Sequence, residues 1–87
     1  MTLRLTSTAT VFESASWAPT EETVLQLSGH ATAVVPIQAR AHADAPWATI
    51  ETLRKNAPMA RIAKLPELKL VMSRNAEGQL ARVWDNM

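Results

Sequence analysis

The residues of this chain that could do acid–base or metal chemistry are few, and their spacing does not suit it. His30 and His42 stand twelve positions apart. On a straight strand that is about 40 Å at ~3.3 Å per residue, and no cysteine or acidic cluster stands beside either one. Zinc needs about four converging ligands, so no metal site is expected. Ser28 and His30 share one strand face as i, i+2 neighbours. No acid is placed to orient the imidazole and no Gly-rich loop could form an oxyanion hole, so a hydrated strand face accounts for both. The two glycines, Gly29 and Gly78, are too far apart for a phosphate loop or dinucleotide turn. Glu21 and Glu22 are adjacent, and adjacent strand residues point to opposite faces, which excludes an acid–base pair there. No catalytic residue and no cofactor is expected, and the chain reads as non-enzymatic.

Binding chemistry is better represented. Residues 1–51 carry Arg4 and Arg40 against Glu13, Glu21, Glu22, Asp44 and Glu51, a net of −3. Residues 52–87 carry Arg54, Lys55, Arg61, Lys64, Lys69, Arg74 and Arg82 against Glu67, Glu77 and Asp85, a net of +4. Such asymmetry points to an anionic partner for the second half, or simply to hydrated strand faces. Arg61, Lys64, Lys69, Arg74 and Arg82 fall on the later strands with Trp84 close by, and Arg4 and Arg40 could join them on the sheet's wet face. A basic groove with aromatic platforms is what single-stranded nucleic acid requires. The aromatic half is thin here, with Trp17, Trp47, Trp84, Phe12 and no tyrosine. Trp17 sits in a polar stretch, as a packing lid or a contact residue. Trp47 reads as a core anchor.

The elements that must position these residues are mostly strands. Residues 2–12 alternate, with Leu3, Leu5, Ala9 and Val11 on one face and threonines and Arg4 on the other. Residues 14–21 break the pattern around Pro19. From Leu25 to Ala43 every odd position is apolar or small, while Gln26, Ser28, His30, Thr32, Gln38, Arg40 and His42 occupy even ones. That is extended chain with one dry and one wet side. Gly29 marks a bend or a turn in it, and Pro36 requires an edge or a disruption of the ladder. Residues 46–57 read as a helix. Asp44 can cap it, Pro46 suits its first turn, Trp47, Ile50, Leu53 and Ala57 form one stripe, and Glu51 and Lys55 pair at i, i+4. Strands return weakly at 59–65 and more clearly at 68–74 and 79–84, the last two joined by a hairpin loop over 75–78. The tail from Asp85 reads as frayed.

The expected fold is therefore α+β and β-rich. It is either a small antiparallel sheet with the helix packed on one face, or an OB-like barrel, with five to six strands and one helix between the third and fourth. No motif carries a family resemblance. With 87 residues, the chain is expected to form one domain spanning residues 1–87. That size buries roughly 60–65% of the unfolded surface, so self-association is a ready source of further burial. Apolar residues at 47% and charged residues at 20% exclude wholesale disorder. The uncharged stretch from Thr23 to Ala39 is too short and too polar for a membrane span. The absence of cysteine fits the cytoplasm.

Two functions follow as expectations. The first is a non-catalytic protein–protein module, a small adaptor, inhibitor or structural subunit that self-associates. Its motivation is the long uncharged strand edge. The alternative is an OB-like module for single-stranded nucleic acid. Partner-binding candidates are Trp17, Arg40, Arg61, Lys64, Lys69, Arg74, Arg82 and Trp84.

Overall fold

The computed structural model describes residues 2–28, 33–75 and 80–86. Its strands are β1 (Thr2–Ser7), β2 (Phe12–Glu13), β3 (Thr23–Ser28), β4 (Val35–Arg40), β5 (Ala48–Leu53), β6 (Met59–Ile62), β7 (Glu67–Met72) and β8 (Ala81–Asp85). They form two four-stranded antiparallel sheets. Sheet I has the order β1-β8-β3-β6 and sheet II the order β2-β7-β4-β5. Each strand of the first half pairs with its mirror in the second: β1 with β8, β2 with β7, β3 with β6, β4 with β5. The further pairs β3–β8 and β4–β7 join these into sheets. That order is the jelly roll, two interleaved Greek keys. One apolar core lies between the sheets. Leu5, Leu25, Leu27, Ile62, Ala81 and Val83 come from sheet I, and Val35, Ile37, Ala39, Leu53, Leu68, Leu70 and Met72 from sheet II. Full burial of each large side chain is worth about 1.5–3 kcal/mol.

The antiparallel, β-rich part of the reading stands, but the single sheet of five to six strands is replaced by two sheets of four, and neither the helix nor the barrel forms. The sheets are not closed on one another, and no described residue is helical. In place of the helix over 46–57 there is strand β5 followed by a tight turn, in which Arg54 and Ala57 exchange backbone hydrogen bonds of 3.1 Å. The stripe at helical spacing was coincidental. Of its four members only Leu53 enters the core, while Thr49, Ile50 and Thr52 are β-branched and suit a pleated strand. The ladder with β4 decides the outcome, with Ile50 left over where the register shifts between the Ile37–Glu51 and Gln38–Thr49 pairs.

The extended stretch from Leu25 holds its alternation but serves two sheets. Leu25, Leu27, Ala33, Val35, Ile37 and Ala39 are all buried, with Gln26 and Ser28 exposed. Beyond Arg40 the alternation ends, and Ala41 and Ala43 are exposed. Gly29 and His30 lie outside the described residues, as does most of the 75–78 loop, and the strands that loop joins form no hairpin, since β7 belongs to sheet II and β8 to sheet I. Pro36 stands in an interior strand, at a disruption. Between the Val34–Arg74 bridge and the Ile37–Leu70 pair, β4 spans two residues and β7 three.

Two further expectations need correction. Strand β1 stops at Ser7, whose hydroxyl accepts the Ala9 N–H at 3.0 Å, and Val11 is 66% exposed rather than inward. Within β1 the register shifts between Leu3 and Leu5, so Arg4 is the extra residue and Leu3 turns outward. Of the segment expected to fray, Asp85 and Asn86 are instead held in place, Asn86 Oδ1 accepting the Val24 N–H, and Met87 lies outside the described residues. Asp85 ends β8 at 1% exposure and receives Arg4 Nε at 2.8 Å. Among the described residues no helix is long and apolar enough to cross a membrane.

Candidate functional site

The two outer faces of the sandwich differ in how much of them is already covered. On sheet II, Arg40 projects from β4 and Lys69 from β7. Trp47, just before β5, lies over both: the Arg40 Cζ is 4.5 Å and the Lys69 Nζ 4.6 Å from the indole centroid. Each cation also has a carboxylate partner at 2.7 Å, Glu67 for Arg40 and Glu13 for Lys69. Arg40 Nη1 further donates to the Ala43 carbonyl at 3.0 Å, tying down the 41–47 connection. The hydrogen bond from Arg40, with a second from Ser16, holds the Glu67 carboxyl below its ordinary range. The same bond raises the Arg40 guanidinium. Trp47 is thus no core anchor. It covers a neutralised outer surface and gains the attraction of cations to its ring face.

Sheet I is open by contrast. The pairs Leu3–Trp84, Trp84–Gln26 and Gln26–Met59 place four side chains in one row across β1, β8, β3 and β6. Directly opposite residues of an antiparallel pair share a face. Leu3 is 38% and Met59 57% exposed, and Trp84 is half-buried between them. The Trp84 indole Nε1 donates to Ser28 Oγ at 3.3 Å, which fixes the ring against β3. Beside it lies a half-open pocket of about 100 Å³ walled by Val24, Gln26, Met59, Trp84 and the Asp85–Asn86 segment. Asn86 closes one side, its Oδ1 accepting the Val24 N–H at 3.0 Å. One row away on one side stands Arg82, opposite Thr6 and Ser28. On the other side stands Arg61, opposite Val24 and 3.5 Å from Glu22.

The eight partner-binding candidates are therefore divided. Trp84, Arg82 and Arg61 share the outer face of sheet I. Arg40 and Lys69 belong to sheet II and are paired there. Arg74 follows β7 at one end of the sandwich and Lys64 follows β6 at the other, both exposed. Trp17 is drawn into the wall. Its backbone bridges Leu68 of sheet II, its ring packs on the core, and Arg4 of sheet I lies 4.6 Å from its centroid. Its Nε1 is buried without a hydrogen-bond partner. Leu3, Val24 and Met59 were missed as surface residues. The parity of β6 could have flagged Met59, because Ile62 inward implies Met59 outward, whereas the β1 bulge that exposes Leu3 leaves no trace in the sequence. Among the described residues no group of His, Asp and Glu converges as a metal would require. No protein-family model, no curated protein and no solved structure matches this chain, so the geometry of the two faces carries the functional reading.

Proposed function

We propose that the chain is a non-catalytic assembly subunit that binds protein, a second copy of itself first of all, through the outer face of sheet I. A jelly roll alone chooses no function, since unrelated activities share it. The observation that carries the reading is the row Leu3–Trp84–Gln26–Met59, apolar but for one amide and uncovered by any described segment. A central indole with methionine and leucine beside it and arginine at the rim is the composition of a protein interface. On the other outer face Trp47 lies over Arg40 and Lys69, and each of those cations is ion-paired.

Light scattering over a concentration series tests this. The average mass is expected to rise from monomer toward dimer through the micromolar range. Met59→Asp, which places a charge on the row without touching the core, is expected to keep the chain monomeric at every concentration. A wild-type chain that stays monomeric at the highest attainable concentration overturns the proposal. Single-stranded oligonucleotide added at low salt is expected to leave the tryptophan fluorescence unchanged, because only Arg82 and Arg61 of the basic set flank Trp84.

A further inference from the structure

Charge is distributed unevenly between the two ends of the strands. At one end the β5–β6 turn carries Arg54 and Lys55, and Arg74 follows β7. The Val34–Arg74 bridge and the Val35–Leu53 pair set Arg74 and Arg54 on either side of Val34. Arg54, Lys55 and Arg74 have no carboxylate partner among the described residues. Glu77, in the same connection as Arg74, lies outside those residues. At the opposite end the connections leading into β3 and β5 carry Glu21, Glu22 and Asp44, with Lys64 after β6 and Arg61, 3.5 Å from Glu22, as counter-charges. The face of sheet I itself carries an arginine on either side of the row: Arg82 one row toward the basic end, and Arg61 toward the acidic end, where Glu22 at 3.5 Å counters it. The polarity therefore lies in the ends.

Two arrangements can lay the apolar row of one copy upon that of another. If corresponding strands run parallel, Leu3 lies over the second copy's Met59, and ends of like charge meet. If they run antiparallel, the dyad follows the row. Leu3 then faces Leu3, Met59 faces Met59, and each basic end meets an acidic one. We infer that two copies stack sheet I on sheet I with corresponding strands antiparallel, their orientation set by this charge polarity. The inference rests on the self-association proposed above. Opposed charge fixes register and excludes the like-charged alternative more than it adds affinity. Four strands ~4.8 Å apart and four to six residues long span roughly 340 Å², under half of the ~800 Å² per partner in a stable complex. The dimer is accordingly weak, and its end charges make it sensitive to salt.

The chain contains no cysteine, so single-cysteine variants and a short bis-maleimide cross-linker test the arrangement. Leu3→Cys alone and Met59→Cys alone are each expected to cross-link into homodimers. Mixing the two is expected to add no heterodimer, and Gln38→Cys on sheet II is expected to give only the background of random collision. Raising ionic strength from tens of millimolar to half molar is expected to weaken the dimer by about tenfold as the end charges are screened. A heterodimer between Leu3→Cys and Met59→Cys as the main product would establish the parallel stack and overturn the inference, while leaving self-association through this face intact. A dimer by light scattering whose Leu3→Cys and Met59→Cys variants do not cross-link would overturn it as well. A chain that is monomeric in both measurements removes the self-association itself.

Discussion

Asp85 shows what one residue contributes to this fold. Its carboxylate accepts Arg4 Nε at 2.8 Å and lies 3.0 Å from the Thr23 hydroxyl, so it joins three neighbouring strands, β1, β8 and β3. Arg4 in turn lies over Trp17, whose backbone is hydrogen-bonded to β7. The contact chain Asp85–Arg4–Trp17 thus links the two sheets at one end. Asp85→Ala leaves a partly buried guanidinium unpaired and is expected to destabilise the fold by about 2–4 kcal/mol, read from urea unfolding. Glu67 is the second informative residue. Its pKa is lowered by Arg40, so the stability it contributes is present at neutral pH. That contribution is lost as pH falls through the depressed folded value, below the ordinary carboxylate range. Acid is expected to release Trp47 from Arg40 with a change in fluorescence, and Glu67→Gln is expected to show part of that change at neutral pH. An acid titration in which Glu67→Gln and the wild type superimpose would contradict this coupling.

At the scale of elements, what the sequence made legible was the alternation. Leu25, Leu27, Val35, Ile37 and Ala39 announce a strand with one dry side, and all five are buried. Pro36 announces a break in the ladder, and the break is there. Other features were hidden because they depend on partners far along the chain. The inward turn of Asp85 requires Arg4 and Thr23. The bulge that sends Leu3 outward is visible only against Trp84 and Val83. Residues 46–57 satisfied helical spacing as well as strand propensity, and the pairing of β5 with β4 settled the contest. Far-UV circular dichroism is expected to show a single β-type minimum with no helical doublet, and a doublet would refute the assignment of β5. Leu25→Ala, at the centre of β3 and fully buried, is expected to cost about 2–5 kcal/mol. The predicted site fared unevenly for the same reason. Trp84, Arg82 and Arg61 were placed on strands whose parity could be read, but nothing local revealed that Arg40 and Lys69 belong to the other sheet.

For the whole molecule, the difference between its outer faces matters more than its net charge. Sheet II has its cations paired and shielded by an indole, while sheet I leaves an apolar row between two arginines. Self-association through that row, measured by light scattering, and its loss in Met59→Asp are the predictions that belong to this scale. The strand order has another consequence. The interior positions of both sheets are held by β7, between β2 and β4, and by β8, between β1 and β3. Of the eight described strands, these two leave the ribosome last. Until they emerge, β1 and β2 have no neighbour to pair with, and only β3–β6 and β4–β5 can meet. A nascent chain therefore carries β2 unpaired until β7 appears and β1 unpaired until β8 appears, and sheet II can be completed before sheet I.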